Sequence, residues 1–395
     1  MKSLYIHIPF CEVKCGYCDF FSVPRGHEEF DLQKEYTHQL IAEIHERARE
    51  FSREPIHSIF LGGGTPSLLH PKYLGSIFEA LHQHFSWDAS TEVTLEANPK
   101  TVSLERLRDF RSLGVNRLSV GVQSFQDKFL KVMGRIHSGE EAKKTVHEAR
   151  EAGFHNMSID LIYSLPGETL EDFELDLSQA LSLETDHLSL YNLTIEQETP
   201  FEKMYRSGLL SLPSEEEQCR MFERVGELEG FHRYEISNFS RRGFECRHNL
   251  NYWDYGEFIG FGAGAVSFIR IPPGPPFSKW GVSEIPPFSK GGKGGFGLRH
   301  QNVRDLKKYL AGQWEQETEV IPLQTAMREF LMMGFRKMEG VSLKRFSELF
   351  GQSLEETFPD QLSFLSQGEW IEKRDQRVRL TTRGLPVANE ILQRF

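Results

Sequence analysis

Nothing in the 395 residues approaches the roughly eighteen uninterrupted apolar positions of a membrane span, and the first ten carry one lysine and no apolar core of an export signal. The chain is read as cytosolic. Basic residues are outnumbered by acidic ones, 46 against 57, for a net charge of −11, and no Lys/Arg stripe gathers them. Nucleic acid therefore drops out as an expected partner, because the phosphate attraction that such binding rests on is weak. Cysteine is scarce too: five, at positions 11, 15, 18, 219 and 246. That is too few and too uneven for the disulfide framework of a secreted domain.

What is present is a cluster. Cys11, Cys15 and Cys18 fall within "CEVKCGYCDF" (11–20), spaced C-x3-C-x2-C just after the first strand-like run. Three thiolates at that spacing can converge on one soft metal centre, yet structural zinc sites and [4Fe-4S] clusters both usually close with four protein ligands. Two readings follow. A zinc ion completed by His7 or His248 makes an interaction module. A cluster held by three cysteines instead leaves one iron open, and an open position is where a metal site holds a reacting molecule. Cys219 is assigned to packing on a helix, and Cys246 either to packing or to a ligand role beside His248.

Six runs rich in β-branched and apolar residues, "SLYIHIPF" (3–10), "IHSIFLGG" (56–63), "EVTLEANP" (92–99), "NRLSVGVQSF" (116–125), "NMSIDLIYSLPG" (156–167) and "HLSLYNLTIE" (187–196), alternate with segments of helical period such as "LEDFELDLSQALSL" from Leu170. Repeated βα units predict a parallel sheet with right-handed crossovers, either doubly wound or an open partial barrel; the period alone does not choose. Period and composition divide the chain into a repeated βα core over 1–235, a segment 236–270 containing "CRHNLNYW", a low-complexity Pro/Gly insertion over 271–300 in which "PPFSK" occurs twice, and a small α+β domain over 301–395 that resembles a winged helix, with turns at Asp375 and Gly384.

Polar residues stand where a βα architecture places ligands, beyond the carboxyl ends of its strands. "GGGTPS" (62–67) follows the second strand, where Gly63 and Gly64 let the backbone approach a ligand. Glu96 ends the third strand, Gln123 the fourth, and Asp160 lies in the fifth. The carboxylates can accept from ribose hydroxyls, and Arg135 can pair with a carboxylate. Each alone could be a helix cap or a turn; caps do not account for all of them together behind a cysteine loop.

The cysteine spacing, the preceding "YIHIPF" and Tyr17 inside the run closely resemble the radical S-adenosylmethionine (SAM) family. In that family SAM chelates the open iron and a reduced cluster cleaves it to a deoxyadenosyl radical. The resemblance implies a [4Fe-4S] cluster on Cys11, Cys15 and Cys18, an electron donor for it, and an open (βα)6 partial barrel. Tyr5, Gly63, Gly64, Thr65, Glu96, Gln123, Arg135 and Asp160 match SAM-contacting positions of oxygen-independent coproporphyrinogen III oxidase and its relatives. "SLPGET", "LYNLTIEQETPF" and "YEISNFS" extend the likeness over most of the chain.

Within that group the oxidase carries a further cysteine two positions after the third, where this chain has Phe20. "HNLNYW" (248–253) looks like the haem-binding signature of the HemW-type haem chaperones. Imidazole is a good axial ligand for haem iron, and Tyr252 and Trp253 offer apolar faces to a porphyrin; without the resemblance, a histidine beside two aromatics is ordinary packing. The expectation is a radical SAM haem chaperone that binds cluster, SAM and haem, the last through His248. It passes haem to haem-dependent respiratory proteins and meets the membrane only through the recipient, as a monomer or a homodimer. The second reading is oxidative decarboxylation of coproporphyrinogen III in porphyrin biosynthesis. One departure is Val266, where relatives commonly have the histidine of Ala-His-Ser.

Overall fold

A computed structural model describes residues 2–24, 29–48, 55–226, 228–271 and 295–395. Each of the six expected runs forms a strand: β1 (Lys2–Ile8), β2 (Ile56–Gly63), β3 (Glu92–Ala97), β4 (Arg117–Gln123), β5 (Met157–Tyr163) and β6 (His187–Asn192). They pair in parallel in sequential order, a single winding without the reversal that defines a doubly wound sheet. The crossovers include helices Pro71–His82, Leu104–Ser112, Gly139–Glu151 and Leu170–Ser182. The last two start at capping boxes, Ser138 with Glu141 and Thr169 with Asp172, which satisfy backbone donors that a helix start leaves unpaired.

Alternation within the strands explains why the sheet curls. One parity is apolar: Leu4, Ile6 and Ile8, Ile59 and Leu61, Val93 and Leu95, Leu118 and Val120, Ile159 and Leu161, Leu188 and Leu190 all join the helices in one buried core. The other parity is largely polar: Ser3, Tyr5 and His7, Ser58, Glu92, Thr94 and Glu96, Arg117 and Ser119, Ser158 and Asp160, His187 and Ser189. A doubly wound sheet covers both faces with helices and needs apolar residues on both. Here residues from all six strands line one cavity of about 200 Å³, which requires the polar parity to face a common lumen. The open partial barrel is the fold.

The sheet does not close on itself among the described residues. β7 (His232–Arg233) and β8 (Asn238–Ser240) extend it beyond β6, and β9 (Phe258–Phe261), β10 (Val266–Arg270), β11 (Gly295–Asn302) and β12 (Glu315–Pro322) extend it beyond β1, giving the order β12-β11-β10-β9-β1-β2-β3-β4-β5-β6-β8-β7. Residues 236–270, set apart by composition, are thus woven into the same sheet. Of the expected insertion over 271–300, residues 272–294 lie outside the described residues, and the remainder from Gly295 is already strand.

Glu315–Pro322 prolongs the antiparallel meander, and the C-terminal helices follow it from Leu323. Helices Leu323–Gly334, Leu343–Phe350 and Pro359–Gln367 precede the hairpin β14 (Ile371–Arg374) and β15 (Arg377–Leu380), which pairs with β13 (Val341–Ser342). This is the helices-then-wing order of a winged helix, packed around Phe330, Phe335, Phe346, Phe350 and Phe358. Asp375 and its neighbour Gln376 both take positive φ, 50° and 59°, as the two-residue turn of a twisted hairpin demands. No helix among the described residues is long and apolar enough to cross a membrane.

Candidate functional site

The carboxyl ends of the strands gather most of the predicted residues. The loop after β1 carries Cys11, Cys15 and Cys18, each partly buried and unpaired with another cysteine. Gly64 N–H donates to Ile8 O at 2.9 Å and Thr65 N–H to Phe10 O at 2.7 Å, so the glycine run is laced to the backbone just ahead of Cys11. The fit admits no side chain: a Cβ on Gly64 would lie 2.7 Å from the carbonyls of Pro9 and Phe10, and one on Gly63, whose φ is +114°, 2.6 Å from the His7 ring. Thr65 Oγ1 is 3.5 Å from Cys11 Sγ. Arg135 donates to Cys15 Sγ at 3.7 Å and to Asn98 Oδ1, while Asn98 Nδ2 donates to Thr65 Oγ1 at 3.4 Å.

The three thiols share one loop without being drawn onto a single centre: among the described residues no three His, Cys, Asp or Glu side chains are gathered at metal-ligand range. Burial pushes Cys11 upward and Cys18 up to about 11, with the neighbouring thiols adding to the rise at Cys18. Such protonated thiols become thiolates when a metal centre supplies positive charge. The donor set fits an iron–sulfur centre: three soft sulfurs on one loop, and a hydroxyl and a guanidinium already against two of them. Neither imidazole considered as a fourth ligand has a free ring nitrogen. His7 meets Tyr5 OH at 3.0 Å and donates to Phe21 O at 2.8 Å, and His248 is bonded twice, as described below.

Below the loop lies the cavity, lined by Tyr5, Gly63, Glu96 and Asp160 among the predicted residues and by Phe20. Phe20, 62 % exposed, stands at its rim. Glu96 accepts from Gly63 N–H at 3.2 Å; burial lifts its carboxyl to about 8, and the Asp160 charge adds to the rise. Asp160 is also raised by burial, against hydrogen bonds from Ser189, Ser119 and Ser158. Gln123 ends β4 at a bulge against β5 with φ of 69°, a conformation that costs a non-glycine residue. Its Nε2 lies 2.9 Å from where a Cβ on Gly121 would be, and Arg135 donates to Gly121 O. Gln123 and Arg135 are thereby held together at one corner.

Sequence reasoning missed Phe60, Arg117, Ser119, His187, Ser189, Tyr191 and Asn249, which complete the lining, and Asn98, which ties Thr65 to Arg135. The signal for the strand residues was their shared parity with Glu96 and Asp160.

His248 is at the other end of the barrel. It sits on the helix Arg247–Trp253 and is 1 % exposed. Its backbone N–H donates to Glu92, the first residue of β3, at 3.1 Å, and its ring stacks on Phe60 with centroids 5.0 Å apart. Ser58 Oγ donates to Ser3, so it accepts from Nδ1–H of His248 at 2.9 Å; Nε2 then accepts from Tyr252 OH at 2.9 Å. Burial, with Arg117 and His57 adding positive charge, pushes the ring down to about 3. Both ring nitrogens are thus taken by hydrogen bonds, and the helix uses the ring to stopper the amino end of the lumen. Cys246 is buried with its thiol on Glu92 at 3.6 Å, and Cys219, expected in packing, is exposed.

Residues 5–180 match the family model of the radical SAM superfamily, and 321–387 that of the HemN C-terminal domain. Over 404 residues the chain is 36% identical to the heme chaperone HemW of Bacillus subtilis, covering 100% of this chain and 99% of the relative. It is 33% identical to the heme chaperone HemW of Escherichia coli, covering 100% and 97%. It is also 33% identical to the mitochondrial radical S-adenosyl methionine domain-containing protein 1 of Danio rerio, covering 99% and 86%. Among solved structures, coproporphyrinogen III oxidase (HemN) from Escherichia coli superposes with a TM-score of 0.79 at 22% identity, over 99% of this chain and 89% of that one, a likeness of fold.

Proposed function

The chain belongs to the HemW family of radical SAM haem chaperones, and from that premise we propose that it binds a [4Fe-4S] cluster, SAM and haem and hands haem to haem-dependent respiratory proteins in the cytoplasm. The observation that carries the cofactor part is the contact of the cysteine loop with the rim of the lumen, Cys11 with Thr65 and Cys15 with Arg135. A cluster held by Cys11, Cys15 and Cys18, once reduced by an electron donor, supplies the one-electron chemistry of the family.

The chain's own residues bind and orient SAM around it. Thr65 and the Gly63–Gly64 backbone form one wall, Arg135 offers its guanidinium to the methionine carboxylate, and Glu96, Gln123 and Asp160 face the nucleoside. At neutral pH Glu96, raised to about 8, holds a proton it can donate to a ligand oxygen, so a carboxylic acid rather than a carboxylate lines that side. Tyr5 and His7 buttress the glycine wall. Phe20 replaces a sulfur by an apolar ring at the rim, which favours retention of a ligand over further metal chemistry there.

Anaerobic reconstitution tests the proposal. Four iron and four sulfide per chain, SAM binding and haem uptake are expected from one preparation, with haem passing on to an apo-cytochrome. Zinc without sulfide, or turnover of coproporphyrinogen III at the expense of SAM, overturns it.

A further inference from the structure

We propose that the floor of the lumen seats a second small molecule beneath SAM, a monocarboxylic acid whose carboxylate Arg117 takes; the inference rests on the proposed seat of SAM for its upper boundary. The observation behind it is a cation without a partner. Arg117 opens β4, is 2 % exposed and lines the cavity. Its guanidinium makes no hydrogen bond or ion pair among the described residues, and its Nε is enclosed without an acceptor. An arginine buried in this way is costly to the fold until an anion meets it.

The acidic neighbours are already spent. Glu92 accepts from the backbone N–H groups of Arg247 and His248, both at 3.1 Å, and from the Cys246 thiol at 3.6 Å. Asp160 accepts from Ser119 Oγ at 2.8 Å and from Ser158 Oγ at 2.9 Å. Both carboxylates act on Arg117 from a distance, without touching its nitrogens. Level with Arg117 on the adjacent strand stands Thr94, buried, whose hydroxyl also lacks a partner. Two unspent polar groups on one tier of the lumen mark a place that a polar ligand completes.

Register separates this place from that of SAM. Thr94 pairs with Arg117, and Glu96 with Ser119 one polar step higher, so Arg117 stands roughly 7 Å beneath the tier of Glu96. Gln123 ends the same strand toward the cysteine loop, roughly 20 Å away. Arg117 is thus out of reach of a methionine carboxylate held at that loop. One guanidinium matches one negative charge: a phosphate dianion brings a second against Glu92 and Asp160, whereas a monocarboxylate accepts a parallel pair of N–H bonds without excess charge. The cavity of about 200 Å³ keeps the ligand small. With its carboxylate on the floor, its carbon chain points up toward the nucleoside of SAM.

The test is saturation-transfer NMR of the full-length protein with butyrate, with butyramide as its uncharged counterpart and inorganic phosphate as the rival anion. Butyrate is expected to bind, butyramide to bind about tenfold more weakly, and phosphate to leave butyrate in place. Arg117→Met is expected to lose butyrate. Arg117→Lys keeps the charge near Glu92 and Asp160 but not the planar fork, so it is expected to fold like the parent and to bind butyrate about tenfold more weakly. No butyrate binding by the parent, equal binding of butyramide, displacement by phosphate, or unchanged affinity in Arg117→Lys overturns the site. In the anaerobically reconstituted protein SAM is expected to slow butyrate release about tenfold, because it stands between the ligand and the rim at Phe20 and Tyr191. SAM that binds without that effect overturns the place beneath it. SAM that does not bind overturns the cofactor reading instead, and the SAM-free titrations still decide the site.

Discussion

Tyr252 donates its hydroxyl proton to His248 Nε2 at 2.9 Å, one helical turn away, while the same ring donates through Nδ1 to Ser58. His187 repeats the pattern: Ser158 Oγ donates to Asp160, leaving it to accept from Nδ1 at 2.8 Å, and Nε2 accepts from Tyr234 OH at 2.8 Å. Two neutral Tyr–His–Ser relays thus close the floor of a lumen whose walls are polar. Buried polar groups that are all satisfied hold a unique arrangement; a gap in the relay leaves a donor or acceptor stranded.

Removing one end of a relay should therefore cost more than one exposed hydrogen bond. Tyr252→Phe is expected to lose about 1 kcal/mol, and His248→Ala, which also opens a cavity against Phe60, about 2–4 kcal/mol. Denaturant unfolding of the two variants beside the parent measures both. Equal stabilities would mean that the helix is held by its backbone contact with Glu92 alone.

Acid should act at both ends of the lumen. His248 lies at about 3 and His7 at about 4, both driven down mainly by burial from an ordinary 6.5. Between those values the unfolded chain binds protons that the folded chain refuses, so stability is complete above pH 6.5 and is lost as pH falls toward 3–4. His248→Gln removes one of these protons, and its stability should fall less steeply over that window, by about 1.4 kcal/mol per pH unit where one proton is at issue. Parallel profiles for parent and variant would show that the ring titrates normally.

The strands and their order were legible because each carries a clear period, and the cysteine loop because its spacing is unusual. The choice between barrel and doubly wound sheet was legible too, in the shared parity of Ser3, Ser58, Glu96, Ser119, Asp160 and Ser189. Helical period between the strands carries no such information, which is why reading it alone leaves both folds standing. The seat of His248 was not legible. Whether an imidazole faces solvent or caps a lumen depends on Ser58 and Glu92, more than 150 residues away in sequence, and no local pattern reports that pairing. Gly295–Asn302 was hidden differently: its glycines continue the Pro/Gly composition before it, and only pairing with β10 and β12 makes it strand.

At Gly63 a single methyl group should be decisive. The positive φ and the 2.6 Å approach of the His7 ring combine, and because His7 is fixed by Tyr5 and Phe21 it has nowhere to move. Gly63→Ala is expected to lose about 2–4 kcal/mol and, in what remains folded, its capacity for SAM. Gly153→Ala serves as the control: it shares a positive φ but has nothing within 4 Å of its Cβ, so its loss should be limited to the backbone term, about 1–2 kcal/mol. Comparable losses in the two variants would remove the His7 contact from the account.

Gln123 offers the opposite trade. Its φ of 69° is strain kept at the corner where Arg135 reaches Gly121. Gln123→Gly should relieve it and raise stability by up to about 1 kcal/mol, while weakening SAM binding because the side-chain amide is gone. Thermal unfolding and anaerobic SAM titration on one preparation read both. A destabilised variant with unchanged SAM affinity would place Gln123 among ordinary structural residues.

Glu96 sharpens the same opposition between stability and binding, through pH. Its carboxyl rises to about 8 because burial, helped by the Asp160 charge, disfavours ionisation more than the Gly63 N–H favours it. From its ordinary 4.5 up to 8 the folded chain keeps a proton that the unfolded chain has released, so this group lowers stability progressively as pH rises through that window. Glu96→Gln keeps an acceptor for Gly63 and abolishes the titration. The variant and parent should therefore melt at similar temperatures near pH 5 and diverge by pH 8, the variant ahead by on the order of 1–3 kcal/mol. Its SAM affinity should fall across the whole range, since an amide cannot reproduce the proton donation and charge of the acid. A gap in melting temperature that does not widen with pH would show that Glu96 is ionised in the folded protein, and that the lumen is far wetter than its cavity of about 200 Å³ implies.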